Sequence, residues 1–186
     1  MSGPPLAGLD GFASVFAYEG VGRRLVLGLK FRNRRSDLTV FGPALAAAVA
    51  SMSGPAVSGE VITWAPTTAR RRRRRGYDQA QWLATALGCE LGLPVRRLLV
   101  RLPSAPQTGA SRLERLGQPH FSARRGCDRQ SVLLVDDICT SGATLMAAAV
   151  ALRRAGSENV VAVTLAQTSL NRAETRADTL VNLDGG

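Results

Sequence analysis

The sequence predicts an α/β fold with a central, mostly parallel sheet flanked by helices. Two observations carry that expectation: short apolar runs alternate with amphipathic stretches, and the runs are apolar at consecutive positions, as strands buried on both faces are. A half-solvated antiparallel strand would alternate apolar and polar residues instead. With 186 residues, 45% of them hydrophobic, the chain is long enough for one sizeable core and short for two, which places function in one main cleft.

Phe12 to Tyr18 is apolar and aromatic enough for a strand. Val21 to Phe31 sets Val21, Leu25 and Leu29 against Arg23, Arg24 and Lys30 as an amphipathic helix does, and Asp37 to Met52, rich in Ala and Leu, reads as a second helix ended by the loop-forming SGPAVSG. Residues 1–58 are therefore expected to form a small N-terminal strand and helix hood packed on a core spanning 59–170, with 171–186 as a tail. In the core, Val61 to Ala65 is a short strand stopped by Pro66. A loop of six arginines, Arg70 to Arg75, leads to a helix over Asp78 to Leu87 whose Ala80, Leu83, Ala84 and Leu87 share one face. Val95 to Leu102 reads as another strand. Pro103 to Gln118 carries Pro, Gly, Ser and charge without an apolar period, so a mobile loop is expected. Val132 to Val135 is a fully apolar strand, Ala147 to Ala155 a helix stopped at Gly156, and Val160 to Leu165 the last strand.

Lys30 is the only lysine, so nearly all of the 24 basic residues are arginines, and against 14 acidic residues they give a net charge of +10. The balance favours polyanionic partners, either nucleic acid or phosphorylated metabolites; a composition biased toward Arg and Ala throughout accounts for the excess as well. Cys89, Cys127 and Cys139 are odd in number, widely spaced and without a C-x-x-C pairing, which indicates neither a disulfide framework nor a zinc site. The start, MSGPPLAGLD, has no basic region followed by an apolar one, and no apolar run reaches the ~18 residues of a membrane span. A soluble, cytoplasmic protein is expected.

The chemistry concentrates in VLLVDDICTSGATL. A buried strand delivers Asp136 and Asp137 to its carboxyl end, where a parallel α/β sheet has its ligand crevice. Adjacent carboxylates leaving an apolar strand repel each other and lose hydration unless something accepts them, and vicinal ribose hydroxyls or a metal-bound polyanion would. Thr140, Ser141, Gly142 and Thr144 follow, small and hydroxylated, before a helix whose first N–H groups have no partner inside the helix. Diol acceptors followed by a phosphate cradle describe a ribose 5-phosphate site. Capping alone, with the acids closing a turn and Thr140 and Ser141 starting the helix, accounts for one or two residues and not the run. A phospho-receiver domain also sets an acidic pair after an apolar strand, but it opens with that pair, whereas here most of the chain precedes it.

VLLVDDICTSGAT closely resembles the phosphoribosyl pyrophosphate binding motif of type I phosphoribosyltransferases. YEG with LKF near the start, APTTARRRRRRGYDQ, Gln107 with Glu114 and Arg115, and TLA near the end resemble the ComF branch of that superfamily, over Tyr18 to Ala166. The departures are specific: the family's RGFNQ is Arg75-Gly76-Tyr77-Asp78-Gln79, its PVP is Trp64-Ala65-Pro66, a later Asn is Gln118, and the four-cysteine zinc ribbon of many relatives has no counterpart in this sequence.

The resemblance implies the type I phosphoribosyltransferase fold, phosphoribosyl pyrophosphate or ribose 5-phosphate as ligand, and Mg²⁺ held by phosphate oxygens and water, with no direct protein ligand or with Asp136 and Asp137 reaching it through water. It assigns Cys139, Thr140, Ser141, Gly142, Ala143 and Thr144 to the 5-phosphate loop, and Arg71, Arg75 and Gly76 to a pyrophosphate loop whose guanidinium forks suit phosphate oxygens. It makes Pro103 to Gln118 the flexible loop that closes over the site, with Gln107, Arg112 and Arg115 as contacts. Asp136, Asp137, Arg112 and Arg115 are then the candidate catalytic residues. Lys30 with Arg23, Arg24, Arg32, Arg34 and Arg35 forms either a basic hood over the acceptor or a solvated helix face. His120, Trp64, Trp82 and Tyr77 read as structural, and Cys139 as a small residue of the loop rather than a nucleophile. Three functions stay open: phosphoribosyl transfer to a nitrogenous base, ComF-type handling of single-stranded DNA or other nucleic acid, and non-catalytic sensing of a sugar phosphate. A homodimer is compatible with each.

Overall fold

The computed structural model describes residues 6–20, 22–24, 38–52, 59–103 and 119–168. The expected helix over 21–31 is helical at 22–24, and the rest of it lies outside the described residues, as do 104–118 and the tail. The elements in chain order are β1 (Gly11–Ala17), α1 (Leu38–Ala50), β2 (Val61–Trp64), α2 (Ala69–Arg75), α3 (Gln79–Leu91), β3 (Leu99–Leu102), β4 (His120–Ala123), β5 (Ser131–Cys139), α4 (Ala143–Arg154) and β6 (Asn159–Gln167).

A four-stranded sheet of order β1-β6-β5-β2, parallel throughout, forms the centre, and helices flank it. The two-residue period of its strands explains their unbroken apolar character. Leu133, Val135, Val161 and Val163 face one layer, with Ile62, α1 and α3. Val132, Leu134, Val160 and Ala162 face the other, with Val61, α4 and the β3–β4 pair. Each alternate side chain is thus buried, which stabilises the sheet by about 1.5–3 kcal/mol per fully buried Val or Leu before conformational entropy is counted.

Five differences from the sequence reading have physical causes. The first strand, expected in an N-terminal hood, is an edge strand of the central sheet, paired with β6 from Gly11–Val161 to Ala17–Gln167. Of Val95 to Leu102 only the last four residues form a strand, antiparallel to the unforeseen β4, while Val95 makes a single bridge to Ile62. β5 continues to Cys139 because β6 extends to Gln167 and supplies partners that far. α4 begins at Ala143, a turn before the expected Ala147, because Gly142 takes the left-handed conformation (φ 76°) that starts it. The arginine run is a helix, not a loop: Arg is a good helix former, the Thr68 side chain accepts a hydrogen bond from the Arg71 N–H (3.3 Å), and Gly76 (φ 79°) closes the end. None of its residues is buried as a whole, so the charges keep most of their hydration, Arg75 Nε excepted. No helix among the described residues is long and apolar enough to cross a membrane.

Candidate ligand site at the carboxyl edge of the sheet

The end of β2 creates the site. The Ala65 N–H donates to the Val135 carbonyl (3.0 Å), the last rung between the two strands, and Pro66 has no N–H to continue. Beyond that rung β5 pairs only with β6, through Asp136–Thr164, Ile138–Ala166 and Cys139–Gln167. The neighbouring strands β2 and β5 then send their helices to opposite faces, α3 to the layer of Ile62 and Leu133, α4 to that of Val132 and Leu134. This is a topological switch point, where open α/β sheets bind ligands. A cavity of about 430 Å³ opens there.

Asp136, Asp137 and Asp78 form its acidic side. Asp136 is only 9% exposed. Burial first, and then the charge of Asp137, hold its carboxyl well above the usual carboxylate range. The Asp136 Oδ1 accepts the Asp137 N–H and the Asp137 Oδ1 accepts the Ile138 N–H, both at 2.8 Å, which fixes the two carboxylates along the strand end. Asp78, at the start of α3, is also buried and raised by that burial. Its Oδ2 accepts the Thr67 N–H (3.0 Å) and so ties the turn after β2 to α3.

Arg71, Arg74, Arg75 and Arg101 form the basic side. Arg75 Nη1 donates to Gln79 Oε1 (3.0 Å), and two buried donors beside that bond, Arg75 Nε and Gln79 Nε2, have no partner among the described residues. Unsatisfied buried donors cost about 1–3 kcal/mol each, which an anionic acceptor would relieve. Arg101, in β3, sits with its guanidinium carbon 5.4 Å from the Phe121 ring centre; burial, then the neighbouring charge of Arg71, lowers its affinity for the proton.

The third wall is the start of α4, where Thr140 and Thr144 line the cavity. Cys139, Ser141, Gly142 and Ala143 belong to the same turn without lining it. Ser141 Oγ accepts the Ala143 N–H (3.4 Å), and the Thr168 N–H bonds the Cys139 carbonyl (2.9 Å), clamping the turn to the end of β6. A Cβ on Gly142 would stand 2.6 Å from Leu6 Cδ2, so close packing as well as left-handed geometry requires glycine. Burial and then Asp136 push the Cys139 thiol up to about 11, which keeps it a thiol rather than a thiolate nucleophile.

The cavity therefore brings together Asp136, Asp137, Arg71, Arg75, Thr140 and Thr144 of the residues singled out in the sequence. Gly76 acts as the cap of α2. Gln107, Arg112 and Arg115 lie outside the described residues. Trp64 is buried, Tyr77 stacks on a half-buried Trp82 (4.2 Å between centroids, 11° between planes), and His120 is exposed on β4. Asp78, Gln79, Arg74 and Arg101 went unrecognised as lining residues. Asp78 stood out only as the acid at the family's Asn position, and Arg101 lies in a strand whose composition carries no hint of a site.

Acids, arginines and hydroxyls thus line one cavity at a switch point of the sheet. The phosphoribosyl transferase domain family matches residues 73–182, and the chain belongs to that family. Among solved structures, it is similar to the allosteric regulatory enzyme of purine biosynthesis at 19% identity, over 75% of this chain and 30% of that one, with a TM-score of 0.48. It is similar to the glutamine phosphoribosylpyrophosphate amidotransferase from B. subtilis complexed with ADP and GMP at 19% identity, over 74% of this chain and 30% of that one, TM-score 0.49. The purine phosphoribosyltransferase from Pyrococcus horikoshii Ot3 shares 16% identity over 74% of this chain and 80% of that one, TM-score 0.42. The chain thus spans about 30% of the length of the first two. No curated protein matches the sequence.

Proposed function

We propose that the protein binds phosphoribosyl pyrophosphate in this cavity and transfers the phosphoribosyl group to a nitrogenous base or similar acceptor, releasing pyrophosphate. The observation that carries the reading is one cavity with paired carboxylates, an arginine wall and a hydroxylated helix start on its separate sides. Asp136 and Asp137 accept the ribose hydroxyls, the turn from Cys139 to Thr144 holds the 5-phosphate at the start of α4, and Arg71 and Arg75 hold the pyrophosphate. As the bond at ribose C1 breaks, negative charge grows on the leaving pyrophosphate, and guanidinium groups already in place stabilise it without reorganising. Gln107, Arg112 and Arg115 are proposed to close over the ligand and exclude water, which would otherwise compete for C1.

Mg²⁺ fits the oxygen-only acids present. Asp136 and Asp137 would meet the ion through water while phosphate oxygens supply its remaining ligands. Its contribution would be to neutralise charge on the pyrophosphate.

The test is a screen of nitrogenous bases with phosphoribosyl pyrophosphate and Mg²⁺, read as pyrophosphate release. Release with at least one acceptor, lost in Asp136→Asn/Asp137→Asn, supports transfer; ligand binding with no release under a broad screen supports a sugar-phosphate sensor instead. A second reading, ComF-type handling of single-stranded DNA, draws on Arg70 and Arg73, which are exposed and line neither the main cavity nor its neighbour across α2. It requires DNA affinity that falls steeply with salt.

A further inference from the structure

The helical arginine run is a wall with two faces. At 100° per residue, Arg71, Arg74 and Arg75 point to one side of α2 and Ala69 and Arg72 to the other. The first three line the cavity already described, and the last two line a second one of about 290 Å³, bounded across from α2 by Arg97 and Arg101. Arg101 belongs to both. The two spaces differ in charge. The first sets three aspartates against its arginines, whereas the described lining of the second carries Arg72, Arg97 and Arg101 with no Asp or Glu.

We propose that this second cavity is a separate phosphate site, in which Arg72, Arg97 and Arg101 bind a phosphate-bearing ligand other than the one held in the first. Arg72, Arg97 and Arg101 line one small space, and a multiply charged anion would accept their N–H donors in pairs. Among the described residues no carboxylate lines this space. A volume just under the ~300–1,000 Å³ range of ligand pockets suits a phosphate or pyrophosphate, or the phosphate end of a mononucleotide. Thr67 and Thr68 add hydroxyl-bearing side chains at the turn that leads into α2. Because Arg101 borders both spaces, an anion in one changes the charge felt in the other, so the two sites are coupled. The inference does not depend on which reaction, if any, the first cavity performs.

Calorimetric titration of the full chain with inorganic pyrophosphate at moderate salt tests it, using wild type, Arg97→Ser, and Arg71→Ser/Arg75→Ser. Arg97 is exposed and lines only the second cavity, so its replacement leaves the core untouched. The expected result is two sites per chain in wild type. Arg97→Ser should weaken one of them at least tenfold and keep the other, and the double variant should do the reverse. One site or none in wild type, or two sites unchanged in Arg97→Ser, overturns the proposal. Loss of the Arg97-dependent site alone, with no effect of the double variant, upholds the second site while counting against the pyrophosphate assignment in the first. Displacement of pyrophosphate from the Arg97-dependent site by adenosine monophosphate, but not by an equal concentration of inorganic phosphate, identifies a nucleotide as the occupant. The opposite pattern identifies the free anion, and either upholds the site.

Discussion

Asp136 shows how a buried acid costs stability at a proposed binding site. Its carboxyl is buried and held above the ordinary carboxylate range, so its contribution to folding is fully present below the unfolded value of about 3.9 and is lost as pH rises through the folded one. Asp136→Asn removes the buried charge and keeps the oxygen that accepts the Asp137 N–H. The variant should therefore be more stable than wild type at neutral pH, by about 1 kcal/mol, and equal to it near pH 3, while binding ligand less well. Thermal unfolding of the ligand-free proteins at both pH values checks this; an unchanged or lower melting temperature at neutral pH contradicts it. A second expectation concerns the thiols. Cys89 is exposed, whereas Cys127 and Cys139 are buried. One thiol per folded chain should react with a disulfide reagent and three after denaturation, and prompt labelling of Cys139 would contradict the burial described above. At this scale the sequence was informative where polarity conflicted with context: acids at the end of an apolar strand announce a site. Arg101 and Gln79 carried no such conflict, because an arginine in a strand and a glutamine in a first helical turn are ordinary, and only the fold places them on the cavity.

Among the elements, α2 and the start of α4 carry the proposed ligand contacts, and each depends on a cap. Thr68→Ala removes the bond to the Arg71 N–H and should weaken α2 by about 1 kcal/mol. Since no residue of α2 is buried as a whole, global stability should barely change while pyrophosphate affinity falls severalfold; a large drop in melting temperature with unchanged affinity would show that α2 supports the fold rather than the ligand. Gly142→Ala imposes left-handed strain of about 1–3 kcal/mol and a clash with Leu6. Urea unfolding of the single variant and of Gly142→Ala/Leu6→Ala separates the two costs, because the second replacement relieves only the clash. Equal destabilisation in both variants would remove Leu6 from the account. Apolar periodicity found β2, β5, β6, α1 and α3 from the sequence, as each buries a regular face. It missed β4, whose exposure alternates along only four residues, and the helical state of the arginine run, which has no apolar face to reveal it.

For the whole molecule, charge is the quantity that matters. Within a formal +10, Arg71, Arg74 and Arg75 of α2 share the cavity with buried Asp78 and Asp136 and half-buried Asp137, which makes it bipolar and suits the proposed ligand, anionic at one end and hydroxylated at the other. Affinity for such a ligand should fall only moderately between 50 and 200 mM salt, whereas binding of single-stranded nucleic acid along the arginines would fall by orders of magnitude. The parallel sheet and the ligand crevice at its carboxyl edge followed from strand character, but the strand order, with its switch point and with β1 at the sheet edge, did not, since an apolar strand carries no mark of its neighbour. The central claim is that the carboxylates of β5 and the arginines of α2 share one sugar-phosphate ligand. Its most direct test is calorimetric titration of phosphoribosyl pyrophosphate with Mg²⁺ into wild type and Asp136→Asn/Asp137→Asn. Binding in the first, and at least tenfold weaker binding in a double variant that remains folded, is the predicted result, since charge-assisted hydrogen bonds contribute about 1.5–3 kcal/mol each. Equal affinity in the two proteins would contradict it.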